Sequence, residues 1–238
     1  MVDSADAIAN SLQALSEQFH AIAHNLANVN TSGYKRVLCD FVTAPAGAGG
    51  PAAPGAVRVK TVHDFSPGTL VQTERALDLG LQGKGFFVLE TPQGQLYTRH
   101  GVFTTNAEGR LVDLAGRAVA GESGPIVIPK NAPLHSINVS ADGNISAGKT
   151  VLGKLKLVEF ADPQVLVAVG QNAFQGPADQ ATAAKTTTVH QGFQEASNVG
   201  AVDELVGLIM VSRLYEANTK AAHARDERLK TLLGVAAG

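Results

Sequence analysis

The chain has 238 residues, a hydrophobic share of 45%, charged residues at only 17%, 25 glycines and a formal net charge of −2. That balance carries no electrostatic footprint for nucleic acid or an anionic membrane. Cys39 is the single cysteine, which excludes an intrachain disulfide and a cysteine-built zinc cage.

A chain of this length can bury one large core or two modest ones. No apolar run reaches the length of a membrane span. The N-terminus lacks a positive patch followed by an apolar run, so no cleaved secretory signal is expected. Cys39 is expected to be a small buried residue.

Apolar residues recur at Ile8, Leu12, Leu15, Phe19, Ile22, Leu26 and Val29, in steps of four and three. That is the seam of a helix packed on another helix. Asp3 or Ser4 can cap its start. Asn28, Asn30, Thr31, Ser32 and Gly33 crowd its end, so it should stop between Val29 and Gly33. The one comparable helix stands at the other end of the chain, and the two seams are expected to find each other or other subunits. Val37–Phe41 starts an extended segment. Ala44–Ala56 is Ala-, Gly- and Pro-rich and is expected to be a linker or exposed loop. Val57–Val62 suits a half-exposed strand.

From Leu70 the period becomes two. Leu77, Leu79 and Leu81 alternate with Asp78 and Gly80. Gly83-Lys84-Gly85 is expected to turn the chain into Phe86–Glu90, and Pro92-Gln93-Gly94 into Gln95–Arg99. Phe103–Thr105 and Arg110–Asp113 form a hairpin about Asn106–Gly109. Ile137–Ser140 and Asn144–Ser146 form another, with Asp142-Gly143 as a type I′ turn. Leu152–Phe160 and Val165–Val169 add strands, and Gly176–Thr188 is expected to loop out. Short strands with turns between them predict an antiparallel β-domain.

A second helix should begin after Ser197 or Asn198. Its seam reads Leu205, Leu208, Ser212, Tyr215, Thr219, Ala222, Asp226, Leu229 and Leu233. Every second layer is polar, which weakens a seam and fixes its register. Val202, Val206 and Ile209 widen the apolar stripe, and a stripe that wide touches more than one neighbour. The fold expected is α+β: N- and C-terminal helices of coiled-coil type bracket an inserted, mainly antiparallel β-domain. The divisions are residues 1–36 for the first helix and its cap motif, 37–70 for a linker and extended segment, 71–192 for the β-domain, and 193–238 for the last helix.

Chemical readings are weaker. Glu17, His20 and His24 share a helix face, but the zinc-protease pattern HExxH is missing, and a surface or inter-subunit role is expected. Gly80–Gly85 lacks the phosphate-loop pattern and reads as a hairpin turn. Asp78 and Glu90 read as exposed strand carboxylates, and no nucleophile elbow is present. No enzyme activity, metal or cofactor is expected. Asn25 and Asn28 read either as fraying near a helix end or as hydrogen-bonding groups that fix the register of a packed interface.

Three ordered motifs coincide: NLANVNTSGYKR at Asn25–Arg36, LDLGLQGKGFFVLETPQGQLYTRHGVFTTNAEGRLVDLAGRAVAG at Leu77–Gly121, and QGFQEASNVGAVDELVGLIMVSRLYEANTKAAHARDERL at Gln191–Leu229. Together they resemble the bacterial flagellar axial family of rod and hook proteins. GESGPIVIPKNA at Gly121–Ala132 and VLGKLKLVEF at Val151–Phe160 are most similar to its proximal rod members, with distal rod members second. The resemblance implies a structural subunit of the basal-body rod that assembles helically through its terminal helices and transmits torque from motor to hook. It implies an inner coiled-coil wall with the β-domain outward. It implies export through the flagellar type III apparatus without a cleaved signal, and a place in the periplasm. The partners implied are copies of itself, other rod proteins and the export apparatus, with no nucleic acid.

The positions carried over are Asn25, Leu26, Ala27, Asn28, Thr31, Gly33 and Tyr34, then Ser197, Asn198, Val199, Glu204, Arg213, Tyr215, Glu216, Asn218 and Lys220. With the seam residues, the expected assembly interface comprises Leu12, Leu15, Phe19, Ile22, Asn25, Leu26, Asn28, Val29, Thr31, Gly33, Tyr34, Ser197, Asn198, Val199, Leu205, Leu208, Arg213, Tyr215, Glu216 and Asn218. Tyr34 stands where the family often has Phe, and Arg228 and Lys230 where it is usually less charged. A hook-type subunit is one alternative. A carbohydrate-binding module or enzyme with coiled-coil ends is another, from a different class.

Overall fold

A computed structural model describes residues 4–43 and 57–236. The possible cap Asp3 and the stretch Ala44–Ala56 lie outside them. The described chain separates into two units. A helical unit takes residues 4–27, 37–43, 57–64 and 199–236, and a β-unit takes 28–36 and 65–198.

In the helical unit, α1 spans Ser4–Ala27 and α2 spans Ala201–Ala236. The cluster of Asn, Thr and Ser after Ala27 ends α1, because these side chains compete for backbone bonds. It does so two residues before the expected range of Val29 to Gly33, and Val29 falls outside the helix. Asp203 and Glu204 occupy the first turn of α2, where they complement the helix dipole.

The helices pair antiparallel. Ser11 Oγ donates to Asn218 Oδ1 at 3.3 Å, and a Cβ on Gly207 would meet Ile22 Cδ1 at 3.3 Å. Leu15, Ile22 and Val211 form the buried contact, with Leu208 against it. Two strands, β1 (Val37–Thr43) and β2 (Val57–His63), form an antiparallel ribbon in register from Val37↔His63 to Thr43↔Val57. Both are strands as expected, but their pairing joins segments that the sequence shows only as separate extended stretches.

The β-unit is built from β3 (Leu70–Gln72), β4 (Leu79–Gln82), β5 (Phe86–Thr91), β6 (Gly94–Thr98), β7 (Phe103–Thr105), β8 (Leu111–Asp113), β9 (Ala118–Gly121), β10 (Gly124–Pro125), β11 (Ile137–Val139), β12 (Asn144–Ala147), β13 (Thr150–Lys154), β14 (Leu157–Phe160), β15 (Val167–Gly170), β16 (Ala173–Gln175), β17 (Ala181–Ala183), β18 (Thr188–Gln191) and β19 (Phe193–Glu195). The largest sheet runs β15-β16-β6-β5-β9-β8-β7, with β14 also on β5. All pairings are antiparallel.

The central strand β5 has both faces buried, which is why FFVL reads as a continuous apolar run. Phe87 and Leu89 enter one core with Leu79, Phe103 and Leu155. Phe86 and Val88 enter a second with Tyr97, Phe160 and Phe174.

Four expectations need correction. Gly83–Gly85 is not a hairpin turn, because β4 pairs with β18 while β5 pairs with β6, β9 and β14. It carries the chain from one sheet to another. The Asp142-Gly143 turn is not type I′, since that needs positive φ at both residues and only Gly143 has it, at 81°. Ser140 N donates to Asn144 O and Gly143 N to Ser140 O, a three-residue hairpin loop. Residues 176–188 are not all loop, since β17 adds to β14. Asp78 is fully buried rather than exposed, while Glu90 is exposed as expected.

Candidate functional site

The expected interface residues divide between the two units. Asn28, Val29, Thr31, Gly33, Tyr34, Ser197 and Asn198 belong to the β-unit. The remainder belong to the helical unit.

Within the β-unit, the nine residues 28–36 are fixed to the segments around Ser66–Thr69 and β19. Thr31 Oγ1 donates to Asn28 Oδ1 at 3.2 Å. Gly33 N donates to Glu195 O at 2.7 Å. Gly33 has φ +67°, and a Cβ there would lie 2.5 Å from His100 N. Its left-handed backbone thus serves a close approach to the Arg99–His100 strand end, six residues beyond the helix it was expected to cap. Tyr34 is buried beside it. Asn198 holds both sides: Oδ1 accepts from Arg36 N at 2.7 Å, and Nδ2 donates to Ser66 O at 3.1 Å.

The centre of this junction is ionic. Glu195 is 1% exposed. Its Oε1 accepts from Lys35 Nζ at 2.7 Å and from Gly68 N at 2.8 Å. Arg99 Nε lies 2.8 Å from Oε2, without a hydrogen bond along that line, so this contact is Coulombic. Lys35 also donates to Ser66 O at 2.7 Å. Arg99 donates to the carbonyls of Gly85 and Gly83. A second buried carboxylate, Asp78, accepts from Thr73 Oγ1 at 2.8 Å and from Gln194 Nε2 at 2.5 Å. Gln194 Oε1 in turn accepts from Ser32 Oγ at 2.6 Å. His100 sits at the edge of this layer. Burial holds its imidazole below the usual range, against the opposing pull of Asp113; Arg117 lowers it further and Asp78 raises it.

Lys35, Arg99 and Glu195 were not singled out from the sequence, because a charged side chain reads as solvated by default. The one hint is that Glu195 shares a strand face with Phe193. The junction fixes the chain: Lys35, Arg99 and Glu195 are engaged with backbone and with one another, and Asp78 with the side chains of Thr73 and Gln194.

In the helical unit, Asn25 is buried and its amide bonds the backbone of Val37 in β1. These two bonds thus reach a strand. Leu15 and Ile22 are buried, but Phe19 is 41% exposed. α2 faces α1 with Gly207, Leu208 and Val211, a row rotated from the expected seam, and Leu205 and Tyr215 are exposed. A Cβ at 207 would meet the tip of Ile22 at 3.3 Å, so glycine eases the packing of this row. Of the polar layers, Thr219 Oγ1 bonds the Tyr215 carbonyl in its own helix at 2.8 Å, as Ser and Thr often do. Asp226 is exposed, and the side chains of Leu229 and Leu233 lie outside the described set.

Ser212 instead lines a groove between the helices. Leu15, Ser16, Phe19 and His20 form its α1 wall, and Val211, Ser212, Tyr215 and Glu216 its α2 wall, around about 430 Å³. His24 is exposed on α1. Burial raises the Cys39 thiol above its ordinary range, with Glu17 adding to the effect. Among the described residues no helix is long and apolar enough to cross a membrane. No group of three or more His, Cys, Asp or Glu among them could hold a metal ion.

Three family matches follow the chain. Residues 8–35 match the flagella basal body rod protein family. Residues 80–147 match the flagellar hook protein FlgE/F/G D1 domain. Residues 190–235 match the flagellar basal body rod FlgEFG protein C-terminal family. Among full-length relatives, flagellar basal-body rod protein FlgG of Buchnera aphidicola subsp. Acyrthosiphon pisum is 32% identical over 253 residues, covering 93% of this chain and 95% of that protein. FlgF of Mesorhizobium japonicum is 33% identical over 242 residues, covering 98% of each. FlgF of Caulobacter vibrioides is 34% identical over 213 residues, covering 87% and 86%.

Proposed function

The chain belongs to the flagellar basal-body rod and hook family, as a structural rod protein of the FlgF and FlgG type, and on that premise we propose that it assembles helically through α1 and α2 in the proximal rod. Its place is the flagellar basal body, and its family implies assembly with other rod proteins. The likenesses favour neither a hook-type subunit nor a carbohydrate-binding module. The near end-to-end match with FlgF of Mesorhizobium japonicum supports the proximal reading.

One observation carries the assembly reading. Val202, Leu205, Val206, Ile209, Met210 and Leu214 cover the outer side of α2, each between 46% and 73% exposed. A contiguous apolar face of this kind marks a partner site on a protein surface. In the assembly it would be covered by helices of neighbouring subunits, in coiled-coil fashion, within the periplasm. The protein would arrive there through the flagellar export apparatus without a cleaved signal.

The double substitution Leu205→Asp with Ile209→Asp tests this. The purified chain should keep its circular dichroism and lose its sedimenting polymer, and cells carrying it should lack a rod in electron micrographs. Normal polymer and normal rods would overturn the reading.

A further inference from the structure

The chain passes between its two units four times, after residues 27, 36, 64 and 198. On the β-unit, three of these passages meet at one side chain. Asn198 Oδ1 accepts from Arg36 N at 2.7 Å. Asn198 Nδ2 donates to the carbonyl and to Oγ of Ser66, both at 3.1 Å. Arg36 is the last residue before β1, Ser66 the third after β2, and Asn198 the third before α2. A primary amide suits this place, since it accepts and donates at once. The passage after Ala27 is closed by its own turn, in which Thr31 N donates to Asn28 O at 3.0 Å.

Glu195, three residues earlier, has a different environment. It is buried and charged, and it joins Lys35 to Gly68 inside the β-unit. Asn198 is neutral and half-buried, and its bonds to Ser66 are exposed. Losing it leaves no charge stranded in the core, so the passages should loosen while the β-unit stays folded.

We propose that Asn198 is a positioning residue that fastens the chain entering α2 to the connections at Arg36 and Ser66, so that all three leave the β-unit from one point. In a rod subunit, a pull on α2 is then shared by three backbones instead of falling on the link at 198 alone. That consequence rests on the structural-subunit reading above, whereas the tie itself does not.

Amide exchange and nitrogen-15 relaxation on the full-length chain test the tie. Asn198→Ala removes both sets of bonds. Exchange at the Arg36 amide should quicken about tenfold. Order parameters at residues 197–199 should fall from the rigid range near about 0.85 to below about 0.6. The thermal midpoint of the β-unit should move by no more than about 4 °C. Asn198→Asp keeps one oxygen for Arg36 N and another that accepts from Ser66 Oγ, and it should restore both readouts. Exchange and order parameters in the alanine variant that match the unsubstituted chain would overturn the tie. An aspartate variant as loose as the alanine one would overturn it too. Faster exchange throughout β5 with a collapsed midpoint would also overturn it, since Asn198 would then support the core and not the connections. All readouts are taken on the free chain, so their failure leaves the rod assignment in place, and a failure to polymerise leaves them unchanged.

Discussion

The side-chain amide of Asn25 meets the backbone of Val37 twice: Nδ2 donates to the carbonyl and Oδ1 accepts from the N–H, both at 2.8 Å. An asparagine near a helix end thus does for β1 what a neighbouring strand would do. It ties the last turn of α1 to the first residue of the ribbon, across the nine residues that leave for the β-unit. Asn25→Ala should leave both groups of Val37 without these partners and cost on the order of 2 kcal/mol. Asn25→Asp should be at least as costly, because it sets a carboxylate against the Val37 carbonyl. Urea denaturation followed by circular dichroism measures both, and an alanine variant of unchanged stability would mean the bonds contribute nothing net.

The buried Lys35–Glu195–Arg99 group makes an asymmetric prediction. Glu195→Gln leaves two buried cations facing a neutral amide, and breaking a buried pair in this way costs roughly 3–5 kcal/mol. Lys35→Met leaves Glu195 still paired with Arg99, so it should cost less. Equal losses in chemical denaturation would show that the Lys35–Glu195 pair carries the group and that Arg99 does not compensate for the lysine.

His100 gives the β-unit a pH dependence. Its folded-state affinity for a proton is lowered, chiefly by burial. The unfolded chain therefore binds more protons just below the ordinary imidazole value of 6.5, and stability falls as pH falls through that window. Above it the contribution is fully present. His100→Gln should flatten the slope of the thermal midpoint between about pH 6.5 and the onset of carboxylate titration near 4. An unchanged slope would assign the effect to other groups.

Ser212→Leu should fill the groove from within. Each added methylene removed from water contributes about 0.8 kcal/mol, so the α1–α2 pair should gain in thermal stability. An unchanged thermal midpoint would show that the new side chain stays in solvent and leaves the groove open.

Both helices and most hairpins were legible in the sequence, because apolar spacing and Gly, Pro or Asn turns act over a few residues. The β1–β2 ribbon was not, since the thirteen residues between its strands carry no hairpin signal. The rotated face of α2 was not, because the spacing of Leu205 and Tyr215 fits a seam as well as Gly207 and Val211 do. In the structure Gly207 lies against Ile22, where a Cβ would meet Ile22 Cδ1 at 3.3 Å. Thr31, Gly33, Tyr34 and Asn198 were flagged, yet their attachment to the β-unit turns on Lys35 reaching Glu195, 160 positions away. No local pattern encodes a contact of that span.

α1 and α2 come from opposite ends of the described chain, and the entire β-unit lies between them. Whichever end reaches a compartment first, its helix arrives without the other, and a lone helix is marginal in water. The β-unit needs nothing beyond residue 198 and can mature once 28–198 is free. The helical unit must wait for the last segment to emerge. Maturation is therefore ordered in time by the threading of the chain: the part that closes within residues 28–198 forms first, and the helix pair drawn from both ends forms last.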